Sequence, residues 1–376
     1  MKNKTPIKIL FVISLFDRLG GAEKNLRDVL LNLDKKKFKP YVIAFKGGFL
    51  THFISTQGIH VEVYNIGKLL SLHTILKAIA LLKFIRSEGI DIVVSYHHDA
   101  DIFGGLVAKL AGVTKTISCR RDMGYQLEKK HIFFYRSMGW VFSHFLTVSD
   151  AVKNEVYRRE GINKHRITTI YNGIDVNSFK LNDEDNKIKL MQELGLSSDK
   201  LTIGMVASFR PIKGQLYLVD AIKKMKEWHG KIQVIIVGHN ETEYFIEVKE
   251  RILSYGLESL FVFPGSRDDV CRLLNIMDIF VISSINEGFS NAIIEAMSVG
   301  LPVVAPDSGG NAEAVQNNES GILFKPCNSD DLADKLLKLL ENCEMRKIMG
   351  RKGKDIVDKA FGLKQMICKY ENVFLE

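Results

Sequence analysis

Glu287-Gly-Phe-Ser-Asn-Ala-Ile-Ile-Glu295-Ala-Met-Ser-Val-Gly300-Leu-Pro302-Val-Val-Ala-Pro306 packs a helix start, a helix stop and a buried strand into one short stretch. Ser290 or Asn291 can cap a helix running through Ala-Ile-Ile-Glu-Ala-Met, and Gly300 stands where a left-handed residue ends one. Leu301 to Ala305 is then apolar enough to be a buried strand. The first free N–H groups of the helix open at Gly288-Phe289-Ser290, a natural place for phosphate oxygens or sugar hydroxyls. Glu287 lies just before that opening and Glu295 about a turn inside it. Carboxylates accept hydrogen bonds in pairs, so two at one site suit vicinal hydroxyls such as those of a hexose and a ribose. The plainer alternative is a solvated loop glutamate and a surface-helix glutamate.

Working outward, strand and helix alternate from end to end. Ile7 to Ile13 reads as a strand that is apolar apart from Lys8; Gly20-Gly21 then turns into a helix whose Leu26, Val29, Leu30 and Leu33 mark one face. Strand, glycine turn and helix make the unit of a doubly wound parallel sheet. Further strands are predicted at Lys39 to Phe45, Ile90 to Tyr96, Thr116 to Cys119, Phe145 to Val148 and Arg166 to Ile170. The pattern restarts at Leu201 to Val206, Ile232 to Val237, Leu260 to Phe263, Ile279 to Ile282 and Leu301 to Ala305. Between the two runs, Leu181-Asn-Asp-Glu-Asp-Asn-Lys187 is polar and without apolar periodicity, which places a domain boundary there. A chain of 376 residues with 46% hydrophobic residues supports two domains, each with its own core. The division expected is 1–180, 181–355 and a final helix over 356–376 packing back on the first domain.

Charge is unevenly shared. Residues 1–180 carry 28 Lys and Arg against 15 Asp and Glu, a net of +13, and residues 181–376 carry 24 against 29, a net of −5. The cations cluster at Lys35-Lys36-Lys37, Arg120-Arg121, Lys129-Lys130 and Arg158-Arg159, with Phe133, Phe134, Tyr135, Trp140 and Phe142 close by. Such clusters beside aromatics suit an anionic membrane surface or a phosphorylated lipid. No nucleic-acid recognition motif accompanies them. The N-terminus has the basic start Lys2, Lys4 and Lys8, but the stretch Ile7 to Leu15 is too short to span a bilayer and runs into Asp17, so it reads as a first strand. Leu69 to Ile85 and Ile132 to Leu146 are both interrupted by Lys, His or Arg; a chain of this kind would lie on a membrane rather than cross it. The five cysteines form no Cys-x-x-Cys pair, as expected of reduced thiols in a cytosol.

The motifs together resemble the retaining glycosyltransferase family 4 of the GT-B superfamily, which also includes glycogen synthase and sucrose synthase. Glu287 and Glu295 match its Glu-x7-Glu signature. Gly204-Met-Val-Ala-Ser-Phe-Arg210-Pro-Ile-Lys213-Gly214 is similar to its strand and Arg/Lys-Gly loop, and Asp307-Ser-Gly309-Gly310-Asn-Ala-Glu313 to its Gly-Gly-x-x-Glu loop. Leu19-Gly20-Gly21-Ala22-Glu23 matches its N-terminal glycine turn and Tyr171-Asn172-Gly173-Ile174-Asp175 its Asn-Gly-Ile-Asp. The resemblance implies two Rossmann-like domains facing a cleft, with a nucleotide-sugar donor, a UDP-sugar before a GDP-sugar, held by the second. It implies that Arg210 and Lys213 hold the donor diphosphate, Glu287 the hexose and Glu295 the ribose, with Gly20, Gly21, Gly288, Phe289, Ser290 and Asn291 also at the donor; donor choice would turn on Phe289, Asn291 and Arg267.

Breaking a bond between an anomeric carbon and a diphosphate gathers negative charge on the leaving group, so fixed cations and backbone N–H groups are the main need. Arg210 can grip two oxygens and Lys213 acts as a point charge. No cofactor or metal is then required, although Asp99 and Asp101, flanking an alanine after His97-His98, could offer a metal site. Many relatives carry a His at the end of the strand matching Thr116 to Cys119, where this chain has Arg120-Arg121-Asp122. Arginine is not a base at ordinary pH, so His97, His98, Asp99 and Asp122 become the acceptor-side candidates, with Arg120 and Arg121 in a binding or electrostatic role. The expected activity is transfer of a hexose or N-acetylhexosamine to a glycan or polyprenyl lipid-linked acceptor on the cytosolic face of a membrane, in cell-surface polysaccharide assembly. Sugar-nucleotide epimerases share the fold, and a non-catalytic partner of another transferase is the remaining alternative.

Overall fold

The structure is a computed structural model that describes residues 5–17, 20–124, 127–179 and 184–376. Lys2, Lys4, Leu19 and the start of the expected boundary segment, Leu181 to Asp183, lie outside the described residues. The chain divides into two compact units, Met1–Asn172 with Lys364–Glu376, and Gly173–Leu363.

In the first unit the strands are β1 (Ile7–Phe16), β2 (Phe38–Gly47), β3 (His60–Val63), β4 (Ile92–Tyr96), β5 (Lys115–Arg120), β6 (His144–Thr147) and β7 (Ile167–Thr169). Among the described residues they form a parallel sheet in the order β3-β2-β1-β4-β5-β6-β7. Helices cover both faces of such a sheet, which is why Ile9 to Ile13 can be apolar without interruption and wholly buried. The helix Gly21–Asn32 buries Leu26, Val29 and Leu30 at helical spacing, as its pattern predicts. The strand order reverses between β1 and β4, so the loops after these two strands open side by side at the carboxyl edge.

The second unit repeats the plan with β8 (Leu201–Val206), β9 (Ile232–Val237), β10 (Phe261–Gly265), β11 (Ile279–Val281), β12 (Val303–Pro306) and β13 (Gly321–Phe324), ordered β10-β9-β8-β11-β12-β13. Here the reversal falls between β8 and β11. The sheet is therefore parallel and doubly wound in both units, the fold class expected. Strands β3 and β13 were not predicted: both are edge strands of only four residues, β3 alternating and unburied and β13 apolar but too short to stand out as a run.

The units meet at Asn172/Gly173 and Leu363/Lys364 rather than at the expected 180/181 and 355/356. The two crossings are paired: Ile174 N–H donates to the Phe361 carbonyl at 2.9 Å and Leu363 N–H to the Ile174 carbonyl at 2.8 Å. Gly173 permits this, since a Cβ there would come 2.7 Å from the Gly362 carbonyl oxygen. Of the polar stretch expected to mark the boundary, Glu184 to Lys187 begin the helix Glu184–Glu193 of the second unit, which buries Leu190 and Met191. Residues 356–360 end the helix Cys343–Ala360, whose Met349 and Val357 are buried. The last helix, Leu363–Leu375, sets Phe374 edge-on to Phe11 and Phe38 at 6.2 and 5.9 Å.

Candidate functional site

Three loops leave the carboxyl ends of β8, β11 and β12 and lock onto one another's backbone. Gly214 has φ 65°, and a Cβ there would sit 2.1 Å from the Ser283 carbonyl oxygen, so only glycine lets the Arg210–Gly214 turn lie against the end of β11. Ile285 N–H donates to the Ile212 carbonyl at 2.9 Å, tying the same two loops together. On the other side Gly309, at φ 56°, lies against the Glu287 carbonyl, which accepts Gly310 N–H at 3.1 Å. These contacts bring Lys213 onto Glu287: the ammonium donates to Oε1, which also accepts the Ser284 hydroxyl at 2.9 Å. Arg210 is exposed beside them and makes no ion pair among the described residues.

The helix after Glu287 runs Asn291–Ser298 and buries Ile293, Ile294, Ala296 and Met297, with Glu295 only 8% exposed. Ser290 is its N-cap residue by backbone, but its side chain makes no capping bond. Gly300, at φ 85°, ends the helix as predicted. Phe289 packs on Phe361 at 5.3 Å. Arg267, expected to bear on donor choice, is instead held by Asp269 at 2.8 Å and Glu193 at 3.1 Å, so its charge is already matched within the unit. Sequence reasoning passed over Asn311. It is fully buried in the Gly309-Gly310 loop, yet both its amide oxygen and its amide nitrogen lack a partner, as does the Ser308 hydroxyl. Buried polar atoms are rarely left so.

In the first unit the loops after β1 and β4 meet at the other reversal of strand order. Glu23 folds back over Gly20, where a Cβ would lie 2.3 Å from its Oε2, and His97 Nε2 stands 3.7 Å from Glu23 Oε1. His97 takes φ 73°, a conformation uncommon outside glycine. By contrast a Cβ on Gly21 would meet nothing within 4 Å.

The Arg120 pair turns out otherwise than expected. Arg120 is buried, with Nε and Nη2 donating to the two Glu160 oxygens at 3.2 and 2.9 Å, Nη1 on Asp101, and the Tyr135 ring 4.1 Å from its Cζ. Both carboxylates sit on π-helical turns, Asp101–Gly105 and Val156–Glu160, each of which carries one extra residue per turn toward the arginine. Arg120 is therefore no part of an exposed basic surface that could meet a membrane. Arg121 is turned inward as well, donating to Asn172 and, at 3.4 Å, to Tyr370 of the last helix.

The remaining acceptor-side candidates separate. Asp101 is wholly buried, taking hydrogen bonds from Ser118 and Tyr135 at 2.8 Å each, whereas Asp99 is exposed, so the two do not form a metal pair. No group of three or more His, Cys, Asp or Glu among the described residues is arranged to hold a metal ion. Asp122 accepts Gly124 N–H at 2.6 Å and stabilises a turn. Tyr135 gives its proton to Asp101, so at 2.9 Å it must accept from His98 Nδ1, which leaves His98 Nε2 unprotonated. Burial, with Arg120 nearby, pushes the His98 imidazole down to about 2, so it stays neutral. His98, Arg120, Leu127, Val156 and Arg159 line a recess on this unit.

Residues 186–356 match the family of glycosyl transferases group 1 and residues 19–178 that of glycosyltransferase family 4. The chain is 24% identical over 380 residues to the UDP-Gal:alpha-D-GlcNAc-diphosphoundecaprenol alpha-1,3-galactosyltransferase of Escherichia coli, covering 98% of this chain and 97% of that one. It is 26% identical over 349 residues to the N,N'-diacetylbacillosaminyl-diphospho-undecaprenol alpha-1,3-N-acetylgalactosaminyltransferase of Campylobacter jejuni, covering 89% and 90%. The Anabaena protein HepE, solved in complex with UDP and glucose, superposes with a TM-score of 0.87 at 24% identity over 98% of this chain and 99% of that one. Two parallel Rossmann-like units, each with its loops gathered at a reversal of strand order, and family matches on both of them identify the chain as a glycosyltransferase of family 4 with the GT-B fold.

Proposed function

We propose that this glycosyltransferase moves a hexose or N-acetylhexosamine from a UDP-sugar to a polyprenyl-diphosphate-linked glycan, with retention of configuration and without a metal, in the assembly of a cell-surface polysaccharide. The observation that carries the reading is the meeting of Lys213, Glu287 and the Gly309-Gly310 loop at the reversal between β8 and β11, with Arg210 exposed beside them. Parallel sheets bind their ligands at this point. Arg210 and Lys213 supply fixed positive charge for a departing diphosphate, which is the service a metal would otherwise give. Glu287 takes the hexose hydroxyls, and Glu295, inside the next helix, the ribose. The unpartnered amide of Asn311 has a ready use as a further polar contact for the donor.

The acceptor class is drawn from the two relatives, each named for a sugar on diphosphoundecaprenol and for an alpha linkage, the product retention gives from an α-linked nucleotide sugar. The name of the Escherichia coli relative also favours a UDP-sugar, as does the UDP complex of HepE. Acceptor deprotonation falls to a leaving phosphate oxygen or to His97 beside Glu23, since His98 is too weak a base. An acceptor on a lipid places the enzyme on a cytosolic membrane face, and exposed Lys129 and Lys130 suit anionic headgroups. Incubation of the purified protein with UDP-hexoses and UDP-N-acetylhexosamines, with and without a short-chain polyprenyl diphosphate sugar, tests this. Acceptor-dependent release of UDP and an alpha-linked product are expected. Isomerisation of the donor without acceptor would make the chain an epimerase, and no turnover of any donor would make it a non-catalytic partner.

A further inference from the structure

The helix Leu72–Glu88 is apolar on two opposite faces. Thr74, Leu81 and Ile85, with Ala78 beside them, turn inward and join the core of the first unit. Leu72, Ile75, Leu76 and Ile79 repeat at the same helical spacing on the other side and are all exposed, Leu72 by 74%. Leu70, just before the Ser71 N-cap, is 98% exposed. Single exposed leucines or isoleucines are ordinary, but five such residues in one strip are not, because the inner face alone already satisfies the fold.

The charges around the strip point to one occupant. From Val63 to Ser87 the sequence has no Asp or Glu, while Lys68, Lys77, Lys83 and Arg86 fall within it. The outer face passes from Ile79 to Lys83 and Arg86 at helical spacing, so two apolar turns are followed by a basic one. Arg86 also donates to the Leu110 carbonyl at 3.1 Å, and Lys109 lies 6.0 Å over the ring of exposed Trp140, which continues the apolar and cationic surface onto neighbouring elements. Apolar side chains on a short helix, lysine and arginine beside them and a tryptophan at the margin are the chemistry of the headgroup boundary of an anionic bilayer. No described helix is long and apolar enough to cross one.

We propose that the outer face of the Leu72–Glu88 helix, led by Leu70, inserts into the headgroup region of an anionic lipid bilayer and holds the enzyme on the membrane. Its purpose rests on the lipid-linked acceptor reading; its physics rests on this surface alone. The inserting element is apolar, so charge attracts the protein to the bilayer and the strip retains it there.

The test is sedimentation with phosphatidylcholine vesicles made with and without phosphatidylglycerol, comparing the full chain with the variant Ile75→Ser/Leu76→Ser/Ile79→Ser. These positions are exposed and outside the proposed donor site, so thermal unfolding and UDP binding should match the wild type. The wild type should bind the anionic vesicles preferentially, less so in high salt, and the variant should lose binding on the order of tenfold or more. A Leu76→Trp reporter should shift its emission to the blue only with anionic vesicles. Equal binding by wild type and variant overturns the proposal. So does wild-type binding to neither vesicle, and a concentration-dependent dimer that the variant abolishes would then assign the strip to a second copy of the chain. Sugar transfer to a water-soluble acceptor analogue, measured without vesicles, fails only if the transferase reading fails.

Discussion

Lys213 and Glu287, expected to serve different parts of a donor, are bound to each other through Nζ and Oε1. Each side chain is largely shielded, and Glu287 has the Ser284 hydroxyl as a second partner at 2.9 Å. An ammonium has three protons to give, so Lys213 can keep this carboxylate while taking up a phosphate oxygen. The pair therefore holds the lysine at the end of β8 before any ligand arrives, and that pre-organisation is what stabilising a departing diphosphate requires.

Removing either proposed cation should cost turnover rather than folding. Arg210→Ala and Lys213→Ala are each expected to slow transfer by about a hundredfold or more, comparable to deleting an oxyanion donor. Arg210 is exposed, so its variant should unfold at the wild-type temperature. Steady-state rates with saturating donor check this, and wild-type turnover in either variant removes that residue from the mechanism.

The two glutamates should part company toward the free nucleotide. Glu295→Ala should weaken UDP binding by about tenfold or more, since one lost charge-assisted hydrogen bond is worth roughly 1.5–3 kcal/mol. Glu287→Ala frees the Lys213 ammonium, so UDP affinity should hold or rise while sugar transfer falls. Calorimetry with UDP alone decides; equal losses in both variants would reverse the assignment.

What could be read from sequence divides along physical lines. Central strands such as β1 and β9 are buried on both faces and announce themselves as apolar runs, Ile9 to Ile13 and Val234 to Val237, whereas the edge strand β3 alternates and β13 is apolar but only four residues long. Glycine loops were legible because Gly214 and Gly309 each fill a place no other residue fits. Arg120 was not, because a buried guanidinium and a surface one look alike until Asp101 and Glu160 are brought round it by π-turns that no periodicity reveals. The same holds for the crossing of the chain at Gly173, which a backbone pairing sets rather than a change in composition.

Gly20 and Gly21 should behave differently when given a methyl group. A Cβ on Gly20 runs into Glu23, while one on Gly21 meets nothing, so Gly21→Ala should fold and gain up to about 1 kcal/mol from its lower unfolded-state entropy. If a ligand approaches this turn, the same variant should lose transfer activity. Thermal unfolding and turnover are read together. A variant both more stable and fully active would show that nothing approaches Gly21.

Arg120 is expected to matter for stability first. Arg120→Met leaves Asp101 and Glu160 as buried carboxylates without their cation, a loss of about 3–5 kcal/mol. Lys129→Glu/Lys130→Glu, at exposed positions, should change stability little and weaken binding to anionic vesicles. Denaturant unfolding of both variants makes the comparison. An Arg120→Met protein as stable as the wild type would mean that the carboxylates are satisfied some other way.

His98 should make the first unit sensitive to acid. Its imidazole is held down to about 2, by burial first and then by Arg120, His131, His97 and Arg159, against an ordinary value near 6.5. Below that ordinary value the unfolded chain takes up a proton that the folded chain refuses, so stability must fall as pH drops from about 6.5 toward 2. The contribution is complete above that window and does not vary there. His98→Gln keeps an N–H for Tyr135 but cannot titrate. Relative to this variant the wild type should lose up to about 1.4 kcal/mol between roughly pH 7.5 and 5.5, the effect of one withheld proton on a partly shielded group. Urea midpoints for both proteins at the two pH values measure it. A difference that stays constant with pH would show that His98 takes its proton in the folded protein as readily as in the unfolded chain.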